Sequence, residues 1–341
     1  MIEGINHELV SDWLKKEIPE LSMPLSFSLI AGGHSNLTFH CEDRTGRSLV
    51  LRRPPLGEIL NSAHDMVREH KIISSLKNTA VPVPETLGLC EDGSINGADF
   101  YMMDFVEGDV LNDSVISSSL SVDDKQSISR DVVEILCSLH AIDPDDVGLG
   151  DLGRKDSYLS RQIKRWVAQW NASKTHEIPE MEESCELLLQ NLPEQIGSAI
   201  VHGDFRLGNM IVSCGHVRAV LDWELCTLGD PLADLGYVLN NWLTLEEVPE
   251  PGEGDQAPTA AGGFFSRDEF LDVYANKTGR DISKINYYRA FSHWRLAAIG
   301  QGVYKRYLVG AMGSERDLDL EKQKDSVSRR ASAALELLST T

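Results

Sequence analysis

The stretch Val201-His202-Gly203-Asp204-Phe205-Arg206-Leu207-Gly208-Asn209-Met210-Ile211-Val212, answered by Val220-Leu221-Asp222-Trp223, decides how the chain reads. Asp204 and Asn209 stand five apart, and Asp222 follows Asn209 by thirteen. Apolar runs flank each polar residue: Ile200-Val201 before Asp204, Met210-Ile211-Val212 after Asn209, and Ala219-Val220-Leu221 before Asp222. The last two runs are short, rich in β-branched residues and separated by Ser213-Cys214-Gly215-His216, which predicts a hairpin. Asp204 then sits on a loop while Asn209 and Asp222 come off paired strands, so three oxygen-bearing side chains converge on one point.

Such a set suits phosphoryl transfer. That reaction needs a carboxylate to orient and deprotonate a hydroxyl, and oxygen ligands to hold Mg2+ on nucleotide phosphates. A lone Asp-x-x-x-x-Asn would be an ordinary surface turn. The strands, the His-Gly lead and the spacing to Asp222 carry the reading together.

The rest of the chain is compatible with a soluble enzyme. Its 341 residues suffice for one large or two modest domains, and 42% hydrophobic with 25% charged residues is ordinary for a globular protein. A net charge of −21 argues against a nucleic-acid partner. No apolar run reaches membrane-spanning length, and the acidic start, Met1 to Glu8, is not a signal peptide, so no membrane partner and a cytoplasmic location are expected. The six cysteines are scattered without a Cys-x-x-Cys and read as free thiols.

Around the central stretch the chain divides in two. Residues 5–19 read as an amphipathic helix. Strands follow at 25–29, 37–42 and 48–52, then at 87–90 and 100–103, with a Gly-containing hairpin at Ala31–Asn36 that is by itself an ordinary turn. A helix is predicted over 62–77 with Ser62 or Asn61 as N-cap. Glu69 stands three, four and seven residues before Ile72, Ile73 and Leu76, so it lies on the apolar stripe. A carboxylate there needs a cation, and Arg52 on the third strand is the natural one; the alternative is a Glu at the core edge reaching water. From residue 109 the composition turns helical, with helices near 123–142, 156–172, 180–191 and 266–308 and a last one after 314. The helix at 156–172 carries Arg161, Lys164 and Arg165, either a solvated face or a seat for an anionic substrate. Asp230 or Asp234 is expected to brace the Asp204 loop through backbone N–H groups. Residues 246–264, rich in acids, prolines and glycines, are expected to form a mobile loop or lid.

The set Gly32-Gly33…Ser35-Asn36, Arg52, Glu69, Met103 to Gly108, His202-Gly203-Asp204…Asn209 and Asp222 resembles the aminoglycoside phosphotransferase family of the protein-kinase-like superfamily. More closely, Leu49 to Pro55, Ser62 to Glu69 and Leu221 to Leu225 resemble the kinase-like domain fused to some animal acyl-CoA dehydrogenases. The resemblance implies an α+β, bilobal protein-kinase-like fold: a small antiparallel β-sheet lobe over residues 1–107 and a helical lobe over 108–341. It implies ATP and Mg2+ as cofactors and a small-molecule hydroxyl acceptor as partner. Asp204 becomes the catalytic base, and Asn209 and Asp222 the metal ligands. Gly33, Ser35 and Asn36 would cover the phosphates. Arg52, oriented by Glu69, would reach them, and the Asp104 carbonyl and Val106 amide would meet the adenine edge. Two departures stand out: Arg52 replaces the usual Lys, and Trp223 follows Asp222 where Phe-Gly is usual. Gly203 stands where protein kinases carry an Arg that docks a phosphorylated activation loop, which favours a small acceptor. The closer resemblance implies a hydroxyacyl-CoA, with Arg161, Arg165, Trp223, Glu224 and Arg295 as acceptor contacts. An aminoglycoside, choline or homoserine acceptor, or a silent nucleotide-binding pseudokinase, are the alternatives.

Overall fold

A computed structural model describes the chain except residues 1, 32–35, 57–63, 251, 311–318 and 341. Helix α1 (His7–Glu17) precedes strands β1 (Ser26–Ala31), β2 (Leu37–Glu42) and β3 (Ser48–Arg53). Helix α2 (Met66–Leu76), β4 (Thr86–Cys90), the single turn α3 (Gly93–Asn96) and β5 (Phe100–Asp104) follow. The strands form one antiparallel sheet in the order β1-β2-β3-β5-β4.

Strand alternation sends side chains to opposite faces. Leu49, Leu51, Phe100 and Met102 pack with Val10 and Leu14 of α1. Val50, Tyr101 and Met103 turn the other way, into a cluster with Ile72, Ile73 and Leu76 of α2. Arg52 shares the parity of Val50 and pairs in register with Tyr101, so the sheet aims it at α2. On α2 the buried residues are Met66, Glu69, Ile72, Ile73 and Leu76, a helical stripe that contains the carboxylate. Each fully buried isoleucine there is worth about 1.5–3 kcal/mol, enough to hold Glu69 against the sheet.

The second part is mainly helical: α4 (Ser114–Ser118), α5 (Val122–Ala141), α6 (Tyr158–Ser173) and α7 (Pro179–Gln190). Then come β6 (Ala199–Val201), β7 (Met210–Ser213), β8 (His216–Val220) and β9 (Thr227–Gly229). Helices α8 (Leu232–Asn240), α9 (Arg267–Thr278), α10 (Ile285–Leu308) and α11 (Leu320–Ser339) complete it. The β7–β8 hairpin turns on Cys214 and Gly215, both at positive φ (51° and 72°), the turn that suits two strands of right-handed twist. Asp109 and Val212 exchange backbone hydrogen bonds of 2.8 Å, and the Val220 amide donates to the Pro82 carbonyl at 2.8 Å. The hairpin is thus tied both to the segment that leaves the sheet at Asp109 and to the stretch between α2 and β4. Among the described residues no helix is long and apolar enough to cross a membrane.

Three expectations are corrected. Helix α2 is capped by Asp65, whose side chain accepts from the Arg68 amide at 2.8 Å, four residues beyond Asn61 and three beyond Ser62, which lie outside the described residues. The segment 91–98 between the strands expected at 87–90 and 100–103, read from its Gly, Asp and Asn content as a turn, contains the single helical turn α3, capped by Asp92. The 246–264 segment is anchored rather than lid-like. Asp255 accepts from the Ser114 amide at 3.0 Å, the Gly254 amide donates to Asp113 at 2.9 Å, Glu247 pairs with Arg267 at 2.7 Å, and Val248, Ala257 and Ala260 form their own small core.

Candidate active site

The loop after β6 is shaped by its backbone. The amides of His202 and Gly203 both donate to the Asp234 carboxylate, at 2.6 and 2.8 Å. Of the two expected braces, Asp234 is therefore the one that holds the loop. Asp230 instead accepts from the Tyr288 hydroxyl at 2.7 Å and the Leu232 amide at 3.1 Å. Burial alone would raise the Asp234 carboxyl, but His140 (3.6 Å away), His202 and the Gly203 amide outweigh it and leave its pKa below the ordinary value. Gly203 has φ +85°, and a Cβ there would lie 2.9 Å from the Leu225 carbonyl, so only glycine fits. The buried His202 ring sets the next step: Nε2 donates to the Leu221 carbonyl at 3.0 Å, which leaves Nδ1 to accept from the Asp204 amide at 3.2 Å.

Asp204 is thus presented by a loop fixed on three sides. Asn209, at the end of a 3-10 turn, donates its Nδ2 to the Asp204 carbonyl at 2.8 Å and to Oδ2 at 2.6 Å. The Tyr237 hydroxyl donates to Oδ1, and Arg206 Nε lies 3.6 Å from the same oxygen. Because both Asn209 bonds use the amide nitrogen, its Oδ1 is turned outward, with no donor among the described residues. The Leu221 amide donates to the Asn209 carbonyl at 2.8 Å, so the two hairpin ends stay together. Asp222 then adopts a left-handed conformation (φ 65°, ψ 60°), one that Asp tolerates better than most residues, and swings its carboxylate toward the sheet.

There it meets Arg52. Arg52 Nη2 lies 2.7 Å from Asp222 Oδ1, and its Nε lies 3.1 Å from Glu69 Oε1. The expected pair forms, and the guanidinium fork adds a second arm. Burial would lower the Arg52 pKa, but Glu69, Asp222 and Glu224 more than offset it and keep the group charged. Glu69 is 2% exposed, and burial raises its carboxyl with Arg52 opposing. Asn36 donates to both Glu69 and Glu224 at 3.4 Å. Glu224 is pushed up to about 7 by burial and by Asp222. Arg68, one residue before Glu69, donates to the Cys226 carbonyl and locks α2 onto the Asp222 loop.

The structure thus links Asn36, Arg52, Glu69, Asp222 and Glu224 through hydrogen bonds and ion pairs, with Asn209 bonded to Asp204 and tied by its backbone to Leu221, next to Asp222. A divalent oxygen-seeking cation fits here: Asn209 Oδ1 and the second Asp222 oxygen are hard donors left over once the internal bonds are made. At the end of β5 the Val106 amide has no internal hydrogen bond among the described residues, while the Asp104 carboxylate faces Arg47 at 3.6 Å. Gly33 and Ser35 lie outside the described residues.

On the other side of Asp204 is a cavity of about 490 Å3. Arg165, Trp166, Tyr237, Arg295 and Arg306 line it, and among the described residues Asp204 is its sole carboxylate. Arg295 donates to the Gly203 carbonyl at 3.1 Å and stacks on Tyr237 at 5.4 Å; Arg165 stacks on Trp166 at 5.2 Å. A larger cavity of about 890 Å3, beside α1 and α3, shares no residue with this region.

Three of the expected acceptor contacts lie outside this cavity. Trp223 is fully buried, with Nε1 donating to the Val220 carbonyl at 3.0 Å and its ring 4.5 Å from that of His202, so it braces the loop from within. Arg161 turns away to the Arg154 carbonyl at 2.7 Å. Glu224 belongs to the Arg52 side, not to the cavity. Sequence reasoning passed over Tyr237 as a catalytic neighbour. The available signal was its place three residues after Asp234 on one helix, which puts both on one face.

The chain matches the model of the phosphotransferase enzyme family, APH, over residues 26–266, and it belongs to that family. It is 38% identical over 312 residues to mouse acyl-CoA dehydrogenase family member 10, covering 90% of this chain and 29% of that protein. It is 34% identical over 301 residues to human acyl-CoA dehydrogenase family member 11, covering 87% of this chain and 38% of that protein. The chain therefore spans roughly a third of these relatives' length. A solved protein of Ralstonia eutropha named for the aminoglycoside phosphotransferases superposes with TM-score 0.81 at 32% identity over 98% of both chains. The streptomycin–ATP complex of APH(2″)-IIa superposes with TM-score 0.61 at 18% identity, over 91% of this chain and 94% of that one, a likeness of fold alone. The fold is the protein-kinase-like one that the motifs imply.

Proposed function

We propose that the protein uses Mg·ATP to phosphorylate a hydroxyl of a small anionic acceptor, with a hydroxyacyl-CoA as the acceptor class. The reading divides the chain near residues 107 and 108 into a nucleotide-covering lobe and an acceptor lobe. Asp204 orients the acceptor hydroxyl and takes its proton as that oxygen bonds to the γ-phosphorus and the β–γ bridge breaks. Asn209 and Asp222 would hold Mg2+, which supplies charge neutralisation on the phosphates when bound. Arg52, steadied by Glu69, meets the phosphates from the sheet, and Gly33, Ser35 and Asn36 close over them. The Asp104 carbonyl and Val106 amide take the adenine edge.

The observation that carries the acceptor class is the cavity beside Asp204. Its charged lining is Arg165, Arg295 and Arg306 against the one carboxylate. A polycationic aminoglycoside or choline would meet three guanidiniums with only Asp204 to hold it, whereas a phosphate-bearing thioester would meet complementary charge. The names of the mouse and human relatives point to acyl-CoA chemistry as well.

The test is Mg2+-dependent ATP consumption with a 4-hydroxyacyl-CoA, an aminoglycoside, choline and homoserine in parallel. Turnover is expected with the hydroxyacyl-CoA, and Asp204→Asn is expected to lower it about 10²–10⁴-fold with Mg·ATP binding retained. Turnover with the aminoglycoside alone would refute the acceptor class. Full activity in Asp204→Asn would refute its role. A melting temperature raised by Mg·ATP, without turnover on any acceptor, would favour the pseudokinase.

A further inference from the structure

Another cavity, of about 690 Å3, lies farther along α8 and α10. Asn240 and Asn241 follow Tyr237 at the end of α8, and His293 lies three residues before Leu296 on α10, so the two cavities are neighbours; α11, the 243–256 segment and Arg267 of α9 supply the remaining wall. Four arginines line it: Arg267, Arg289, Arg329 and Arg330. In a chain with 53 acidic and 32 basic residues, a cation without an acid is the exception.

The carboxylates of the wall do not neutralise this group. Glu247 is committed to Arg267 at 2.7 Å. The Asp255 oxygens are spent on the Ser114 amide and hydroxyl and on the Gly252 and Ala257 amides. Glu336 stands exposed at the rim. Arg289 has only a neutral partner, donating Nε to Asn240 Oδ1 at 3.1 Å. The side chains of Arg329 and Arg330 form no hydrogen bond or ion pair among the described residues. The local field is visible on two groups. Burial, with Arg267 nearby and outweighing Glu247, lowers Arg289 to about 10. Burial together with Arg330, Arg289 and Arg267 drives His293 down to about 3, so it stays neutral. A half-buried guanidinium without an anion is a standing cost in a fold that has acids to spare.

We propose that this cavity binds a phosphate-bearing anion, gripped by Arg289 and Arg330 with Arg329 at the mouth. The guanidinium fork matches phosphate oxygens two at a time, which a lysine cannot do. The phosphate has two conceivable sources, the remote end of the acceptor itself or a separate phosphate metabolite, and the site stands whichever acceptor is phosphorylated.

Inorganic pyrophosphate is the probe, titrated calorimetrically into the full chain in the presence of EDTA. Binding is expected to weaken at least about tenfold in Arg289→Gln/Arg330→Gln, two charge-assisted contacts being lost. Ser326→Asp, which adds a carboxylate to the wall and removes no arginine, is expected to weaken it too, and covers the case in which the double variant fails to fold. Arg52→Met/Glu69→Gln is expected to leave it unchanged. Undetectable binding to the unaltered chain, binding indifferent to the first two variants, or binding lost in the third overturns the proposal. Coenzyme A as competitor identifies the source. Displacement of pyrophosphate that weakens in Arg165→Gln marks the acceptor's own phosphates, because Arg165 lies in the neighbouring cavity. Displacement that ignores Arg165, or none, marks a separate metabolite in the same seat.

Discussion

Arg52→Met is expected to destabilise the protein by about 3–5 kcal/mol, the usual cost of stranding one member of a buried ion pair. Glu69 is 2% exposed and lies 3.1 Å from the guanidinium. At an effective dielectric constant of ~20, that separation gives a gross attraction of about 5 kcal/mol, so the stranding cost is of the right size. The contact to Asp222 adds less, since that side chain is 32% exposed and screened by water. Arg52→Met/Glu69→Gln removes the stranded charge, and it should recover about 2–3 kcal/mol of the loss. The pH dependence has a definite sign. Burial raises the folded-state pKa of Glu69 above its unfolded value of 4.5, and without Arg52 it rises further. Between those two values the folded state binds more protons than the unfolded one, so stability falls as pH rises, by at most about 1.4 kcal/mol per pH unit. Arg52→Met should therefore regain stability on acidification toward pH 5, whereas the double variant should not. Urea midpoints of the original protein, Arg52→Met, Glu69→Gln and the double variant at pH 5.5 and 7.5 read this directly. Additive losses, or an Arg52→Met protein as stable as the original, would refute the pairing.

Gly203→Ala should cost about 1–3 kcal/mol in urea denaturation and depress turnover together, because the new Cβ meets the Leu225 carbonyl at 2.9 Å in a left-handed backbone. Tyr237→Phe removes the hydroxyl donated to Asp204; kcat should fall about tenfold to a hundredfold, with the KM for ATP unmoved. Asp234→Asn weakens two buried amide contacts and should cost about 2–4 kcal/mol at pH 7. The Asp234 carboxyl is depressed in the folded state, so its contribution is present above the unfolded value and lost as pH falls. Melting temperatures of the two proteins should therefore converge below about pH 4.

What the sequence discloses is what local periodicity encodes. The alternation that makes 48–53 a strand also fixes which face Arg52 takes, and the helical stripe of Ile72, Ile73 and Leu76 fixes the face of Glu69. Two local patterns thus suffice to bring those charges together across 17 residues. Trp223 escapes the same reasoning because Asp222 reverses the backbone at φ 65°. Its neighbour is thrown into the core instead of lining the opening, and nothing in the pattern of residue types announces a left-handed aspartate. The 246–264 segment escapes it for a different reason. Its acids look solvated, yet Asp255 spends its oxygens on amides and a hydroxyl of its own loop and of α4, an arrangement visible only once α4 is in place. The acceptor cavity is the extreme case. Arg165 and Arg295 come from helices far apart in the chain, and only the packing of α6 against α10 sets them beside Asp204. Arg161, four residues before Arg165, is directed instead to the Arg154 carbonyl. The chemistry of transfer sits in a compact motif and is legible from it. The choice of acceptor sits in helix packing, and so a family can keep the one while it varies the other.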